Sequence, residues 1–323
     1  MTFLNIIFYI WVAVLVVGTF IPLIREQTFW LRAWTYARLQ MLVLIGLTAL
    51  GLYLWKGVGA WPEQVLIILF AICAILCLYD IYPFTWFARK HIPSLKPGQA
   101  HKSISLMVAN VLMDNRNYAA ILDKVSVKKP DILFLVETNQ SWADGICALE
   151  TVYPYRYLLP LEDFNGMLFY SKFPILSVEE RYLVQDHIPS LTLNLDIGQR
   201  QPLHFYGVHP RPPRVEDDTA DLDKELLFIA NEAGHIGAPV IVTGDLNDVG
   251  WSSTTKQFLR LSGLKDPRRG RGLYNSYNAK NPLVRWPLDH IFISKHFALK
   301  AITRLEASGS DHFPIFAEFA LLE

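Results

Sequence analysis

Cysteine is scarce: there are three in 323 residues, with Cys73 and Cys77 inside an apolar run and only Cys147 in polar sequence. That count excludes a disulfide framework within a domain and a cysteine-based zinc site. Net charge is also absent, 30 Lys and Arg standing against 30 Asp and Glu, so global charge names no partner. There is no internal repeat and no low-complexity tract. A basic excess is missing where a sequence-independent DNA binder would need one. Residues 103–323 carry 22 Lys and Arg against 27 Asp and Glu, a net −5, whereas phosphate neutralisation calls for the opposite sign.

Long hydrophobic runs, by contrast, are abundant at the start. Phe3 to Ile24 is almost uninterrupted and long enough to cross about 30 Å of hydrocarbon. It lacks a basic n-region and a small-residue cleavage site, so it reads as an anchor in preference to a signal peptide. Leu39 to Trp55 and Val65 to Tyr79 follow, each extended by aromatic flanks of the kind found at membrane interfaces. The expected organisation is a transmembrane region over 1–87 with spans at about 3–24, 37–55 and 64–83. A Pro- and Gly-containing linker over 88–102 and a soluble domain over 103–323 complete it. Arg25, Arg32 and Arg38 in the first connection, against Lys56 alone in the second, place the first connection and the C-terminal domain on the cytoplasmic side. A large domain translocates largely regardless of such charge, so an outward-facing domain stays open.

The soluble part alternates strand and helix signals. Strands are expected at Ser103–Val111, Asp131–Val136, after the Asn165-Gly166 turn, at Leu191–Leu195, Leu203–Val208, from Val240, and at Ile315–Leu321. Helices are expected at Tyr118–Lys128, stopped by Pro130, and at Glu216–Glu232. Polar residues collect at the strand ends: Asn110, Glu137, His209, Asp245 and Asn247 in Gly-Asp-Leu-Asn-Asp, Asp289 in Leu-Asp-His-Ile-Phe, and Asp311 and His312 in Gly-Ser-Asp-His-Phe-Pro. Each alone is compatible with a turn, a cap or a solvated strand end. A strand-rich α/β protein gathers such ends on one edge, where ligands and catalytic groups collect. A carboxylate and a carboxamide two residues apart, Asp245 and Asn247, suit phosphoester cleavage, one handling a proton and the other donating to an oxyanion.

In that order, these motifs together with Asn-Gly-Met-Leu-Phe-Tyr-Ser-Lys resemble the endonuclease/exonuclease/phosphatase superfamily, the DNase I-like fold, over about 103–323. The three-span leader before it is similar to bacterial membrane-anchored members, which implies a multi-pass protein of a bacterial inner membrane. The resemblance implies a four-layered α/β sandwich of two mixed sheets flanked by helices. It also implies hydrolysis of a phosphoester with Mg²⁺ or Mn²⁺. By position, Glu137 matches the principal metal carboxylate, with Asn110 and Asp311 as further metal contributors. His312 matches the histidine beside the scissile phosphate and Asp289 the carboxylate that orients it. Asp245 matches the group that activates water, Asn247 a donor to a phosphoryl oxygen, and His209 the second histidine. Whether Asp245 or His312 is the base stays open.

The substrate also stays open between a lipid head group or small phosphoester and DNA or RNA; a non-catalytic interaction protein is the third reading. Tethering and the acidic domain favour the first. For nucleic acid speak Trp251, as a stacking platform or a packing residue, and the basic run Lys265, Arg268, Arg269 and Arg271. That run reads as a phosphate-contacting loop or one exposed near an anionic membrane. Arg211 and Arg214 flank the site in sequence and suit a second phosphate or a solvated loop.

Overall fold

Three apolar helices open the computed structural model, which describes residues 3–24, 28–95, 102–212 and 220–322. Helix α1 (Phe3–Phe20) is followed by a short helix α2 (Phe29–Tyr36), then α3 (Arg38–Lys56), which ends at Gly57, and α4 (Trp61–Ile81). Three stretches, Phe3–Leu23, Arg38–Lys56 and Trp61–Phe84, are long and apolar enough to cross a membrane. The third begins three residues before the expected start because Pro62 fits the first helical turn, where its missing N–H costs nothing. Val12, Leu15, Met41, Ile45, Leu52, Phe70, Cys73 and Cys77 form the inner seam. Ile10, Val17, Leu47, Leu54, Ile68 and Ile75 point outward and exposed, an apolar surface far beyond that of an ordinary soluble helix.

Arg38 is not a free interfacial charge. It is buried, with Nε 2.8 Å from Asp80 Oδ2 and Nη1 donating to Thr19 O at 2.8 Å.

The remainder is two sheets face to face. Its elements are β1 (Ser103–Asn110), α5 (Tyr118–Lys128), β2 (Ile132–Val136), α6 (Gln140–Gly145), β3 (Tyr155–Leu159), β4 (Met167–Ser171), β5 (Ile175–Arg181), β6 (Ser190–Leu195) and β7 (Leu203–Gly207). They continue with α7 (Ala220–His235), β8 (Val240–Asp245), α8 (Ser253–Ser262), β9 (Asp289–Ile293), β10 (Phe297–Arg304) and β11 (Ile315–Leu321). One sheet runs β10-β11-β1-β2-β4-β3 and the other β5-β6-β7-β8-β9. Both are mixed: β1 with β2 and β7 with β8 are parallel, the other pairs antiparallel.

Leu106, Phe134, Phe169, Leu193, Phe205, Ile241 and Ile293 fill the space between the sheets. Leu133, Leu135 and Trp142 pack the outer face of the first sheet under α5 and α6, and Leu226, Ile229 and Phe258 that of the second under α7 and α8. Central strands are therefore buried on both faces, which is why β2 reads as an unbroken Ile-Leu-Phe-Leu-Val rather than an alternation. The layers are helix, sheet, sheet, helix.

Several elements depart from the expected list. β3, β5, β10, α2, α6 and α8 were not anticipated; β5 lies at a sheet edge and is largely exposed, so it carries no buried apolar signature. Of the helix expected from Glu216, residues 216–219 lie outside the described residues, and the described part runs on to His235. Arg25, Lys96, Pro97, Gly98 and Arg214 also lie outside them. Within the expected linker, Ile92 is buried, Leu299 N donates to Pro93 O at 2.9 Å and Leu95 N to Leu299 O at 3.0 Å, so this stretch covers the β10 edge.

Candidate active site

Strand direction brings the polar ends together. β1 and β2 run parallel and stop side by side at Asn110 and Val136, so Asn110 stands next to Glu137. In the other sheet β7 and β8 are parallel, His209 follows β7, and Asp245 ends β8 opposite Asp289 at the start of β9. β11, antiparallel to β1, is preceded by Asp311 and His312 at this same edge. Gly244 lets β8 approach β7 here: its φ is 145°, and a Cβ would meet Val208 O at 1.8 Å. Glu137 and Asn247 hold left-handed backbone, at φ 57° and 49°, a conformation uncommon outside glycine and frequent at functional turns.

The side chains interlock. Asn110 Nδ2 donates to Glu137 Oε1 at 2.6 Å and to Asp245 Oδ2 at 3.0 Å, while its Oδ1 accepts from Leu112 N at 3.0 Å. Asp245 Oδ1 accepts from Asn247 N at 2.9 Å, and Asn247 Nδ2 donates to Pro210 O at 3.0 Å. His312 Nδ1 donates to Asp289 Oδ2 at 2.7 Å, leaving Nε2 3.5 Å from Asp245 Oδ2. Ser310 Oγ ties the segment down, donating to Asn110 O at 2.9 Å and accepting from His312 N at 3.0 Å. Ser276 Oγ accepts from the Asp289 N–H at 2.9 Å. Asp311 lies half-buried on the wall of the same cavity, of about 410 Å³.

Charge is arranged as tightly as position. Burial alone would lower His312, but the Asp245 and Asp289 carboxylates push it up to about 10, so the imidazole is charged at neutral pH. Burial would raise Asp245, yet His312 and His209, with the Asn110 amide, hold it below the usual carboxylate range. Glu137 moves the other way, raised by its burial.

Glu137, His209 and Asp245 offer donor atoms within 4.8 Å of one another, as do Asp245, Asp289 and His312. His209 is buried, its Nε2 lies 3.8 Å from Glu137 Oε1 and 3.9 Å from Asp245 Oδ2, and neither ring nitrogen has a hydrogen-bond partner among the described residues. A buried imidazole without partners beside one buried and one half-buried carboxylate is costly unless a cation joins them. This oxygen-rich set fits a hard divalent ion. No acidic residue hydrogen-bonds His209 among the described residues.

The sequence model of the Endonuclease/Exonuclease/phosphatase family matches residues 107–312. The chain belongs to this family. It is accordingly a hydrolase, a metal-dependent phosphoesterase or nuclease. No curated relative matches the chain. Solved structures share the fold at low identity. TDP2 from C. elegans is 20% identical with a TM-score of 0.56, covering 69% of this chain and 78% of that one. D. rerio TDP2 complexed with single-strand DNA product is 16% identical with a TM-score of 0.55, covering 68% and 99%. The Bacteroides vulgatus endonuclease/exonuclease/phosphatase is also 16% identical with a TM-score of 0.55, covering 68% and 99%.

Of the two features that could have served nucleic acid, Trp251 takes its packing alternative and Arg268 is turned inward. Trp251 is buried, edge-on to Phe84, and its Nε1 donates to Thr35 O at 2.6 Å. Arg268 is buried too, paired with Asp266 at 2.8 Å and donating to His290 Nδ1 at 2.7 Å, while His290 Nε2 donates to Asp248 O at 2.8 Å. That chain of bonds braces the Asp245 loop from inside.

Conversely, Arg32, Ala33 and Tyr36 of α2 wall the candidate active-site cavity, which no sequence motif announced. Arg32 bridges Asp223 at 2.8 Å and Asp248 at 3.1 Å, and Tyr36 Oη donates to Asn247 O at 2.6 Å. Tyr277, whose ring lies 5.0 Å from that of His312, and Trp286, stacked on it, complete the rim. The segment between the first two apolar stretches thus packs directly against the domain.

Proposed function

We propose that the chain is a membrane-anchored, Mg²⁺- or Mn²⁺-dependent phosphoesterase that cleaves a phosphodiester or phosphomonoester at the membrane surface, with a lipid head group as the favoured substrate. The observation that carries this reading is the wall of the catalytic cavity formed by Arg32, Ala33 and Tyr36, which belong to the helix joining the first two apolar stretches. A substrate reaching Asp245 and His312 passes this membrane-proximal wall. Net negative charge on the domain and the burial of Arg268 and Trp251 weigh against a grip on duplex nucleic acid.

In this reading Glu137 would hold the metal, with Asp311 contributing and Asp245 and His209 close enough to share in it; Asn110 turns its amide N–H, not its oxygen, to Glu137 and Asp245 and would position these carboxylates. A bound divalent ion would polarise the phosphoryl oxygens and offset the charge that builds on them. Asp245, held ionised, takes the proton of the attacking water. His312, held charged by Asp289, donates from Nε2 towards the phosphoryl group and stabilises its developing charge. This assigns the base to Asp245 and the cationic donor to His312. Asn247 donates to a non-bridging oxygen through the amide hydrogen not spent on Pro210. His209 meets the leaving oxygen.

The test is turnover by the purified full chain in detergent on a bis-aryl phosphodiester, an aryl phosphomonoester, phospholipid, and single- and double-stranded DNA, with Mg²⁺ or Mn²⁺. Phospholipid preferred, with activity lost in Asp245→Asn and reversibly on chelation, supports the proposal. A preference for DNA would replace the substrate assignment, and unchanged turnover in Asp245→Asn would remove the mechanism.

A further inference from the structure

A second recess lies where the last apolar helix hands the chain to the domain. It encloses about 500 Å³, and Arg89, Lys90, His91, Lys265 and Arg269 line it together with Pro83; no carboxylate does, among the described residues. Two distant stretches build it, and hydrogen bonds lock them together. Gly270 N donates to Pro83 O at 2.8 Å, and Asp266 N donates to His91 Nδ1 at 3.1 Å.

The positive charge here is not spent internally. Asp266, the acidic residue of this run, is fully buried and committed to Arg268. Arg89, Lys265 and Arg269 make no ion pair among the described residues, and Arg269 Nε is a buried donor without a hydrogen-bond partner. His91 reports the resulting field: burial, then Arg269 and Lys265, push its imidazole down to about 4. Four cations around one concavity, none of them in an ion pair among the described residues, is an arrangement that a structural role does not require.

Its depth says which anion fits. The recess is lined by Tyr82 and Pro83, immediately beyond α4, and is followed by Trp86 and Phe87, exposed by 81% and 87%. Large aromatics left bare at the end of an apolar helix are the side chains that settle at a bilayer boundary. Leu78 and Ile75 stand one and two turns below Tyr82 on the same face of α4, and both are exposed. From Ile75 up to Lys265 and Arg269 the surface therefore changes from apolar, through aromatic, to cationic.

We infer that this recess binds the phosphate of an anionic phospholipid, with the acyl chains lying against Leu78 and Ile75. It is separate from the catalytic cavity, with which it shares no lining residue. The inference rests on the reading of α4 as a membrane span and is independent of the substrate. It gives the basic run a task that neither the Asp245 loop nor nucleic acid supplies. A lipid held here would fix the rotation of the domain on its anchor.

The experiment is native mass spectrometry of the full chain released from mixed phosphatidylcholine and phosphatidylglycerol nanodiscs, comparing wild type with a Lys265→Gln/Arg269→Gln double variant. Wild type should retain phosphatidylglycerol preferentially, and the double variant should bind it roughly twentyfold more weakly while retaining phosphatidylcholine equally. Arg89→Gln/Lys90→Gln, on the exposed side, should weaken it in the same direction, and Lys265→Arg should restore it.

Equal retention of the two lipids by wild type, or unchanged retention in both double variants, would overturn the site. Inorganic phosphate or glycerol phosphate displacing the lipid at comparable concentration would overturn the assignment to a lipid. Near-ultraviolet circular dichroism of each variant serves as the fold control. Because binding is read without turnover, failure here is distinguishable from failure of the catalytic proposal.

Discussion

Tyr36 Oη donates to Asn247 O at 2.6 Å across 211 residues of sequence, joining the helix between two apolar stretches to the loop that carries Asp245. Burial and the Asp248 carboxylate push the Tyr36 phenol up, so it remains a donor throughout the physiological range. The bond is made to a residue in left-handed backbone, where a fixed carbonyl helps hold the turn. Arg32 does the same one residue later, with its guanidinium 3.1 Å from Asp248 Oδ2. Ser252 and Thr255 also bond Asp248. Helix α2 and the Asp245 loop are thereby one packed unit.

Tyr36→Phe is expected to lower kcat about fivefold, the worth of one net hydrogen bond near 1 kcal/mol, without unfolding the protein. Steady-state kinetics of the full chain would check it. If KM rises with kcat intact, the residue contributes to substrate binding and not to loop position.

Asp245→Asn and His312→Ala should each reduce turnover by at least about a thousandfold, since each removes a group that holds or moves a proton at the reacting centre. Folding should survive Asp245→Asn because the substitution keeps the shape and the acceptor for Asn247 N. The two losses should not multiply, as both groups face each other at 3.5 Å. A double variant as slow as either single one is the expected result; multiplicative losses would separate their roles.

The strand ends were legible because chemistry and periodicity coincide there. Asn110, Glu137, Asp245, Asp289 and His312 follow or begin apolar runs, and the structure gathers them at one edge. Exposed edge elements were not legible: β5 has polar and apolar residues without alternation by burial. Arg32 and Tyr36 were invisible for another reason. Their partners lie some two hundred residues away, and a single arginine between apolar runs reads first as a topology signal. Trp251 takes the packing alternative its sequence offered, whereas Arg268 read as a surface contact because sequence does not reveal that Asp266 waits to satisfy it inside.

Glu137→Gln should raise the Mg²⁺ or Mn²⁺ concentration needed for half-maximal rate by about tenfold or more, while saturating metal recovers part of the activity. Its amide would still meet Asn110, so the loss is one of charge and not of packing. Metal titration of turnover, with calorimetry of metal binding alongside, checks it. An unchanged midpoint would take Glu137 out of the ligand set.

Glu225, which does not line the cavity, supplies a pH test. It lies on α7 among Leu222, Leu226 and Ile229, its Oε1 has no partner among the described residues, and burial pushes its carboxyl up to about 8. A carboxylic acid whose folded pKa exceeds its unfolded value stabilises the fold fully below the unfolded value, near 4.5. That contribution is lost as pH rises through the folded one. Between these limits each pH unit removes up to about 1.4 kcal/mol. Thermal unfolding of the full chain in detergent should therefore show stability falling from pH 5 towards pH 8. Glu225→Gln, which cannot ionise, should flatten that slope and melt higher than wild type at pH 8. Parallel curves for the two proteins would mean that the carboxyl finds water or a cation when it ionises.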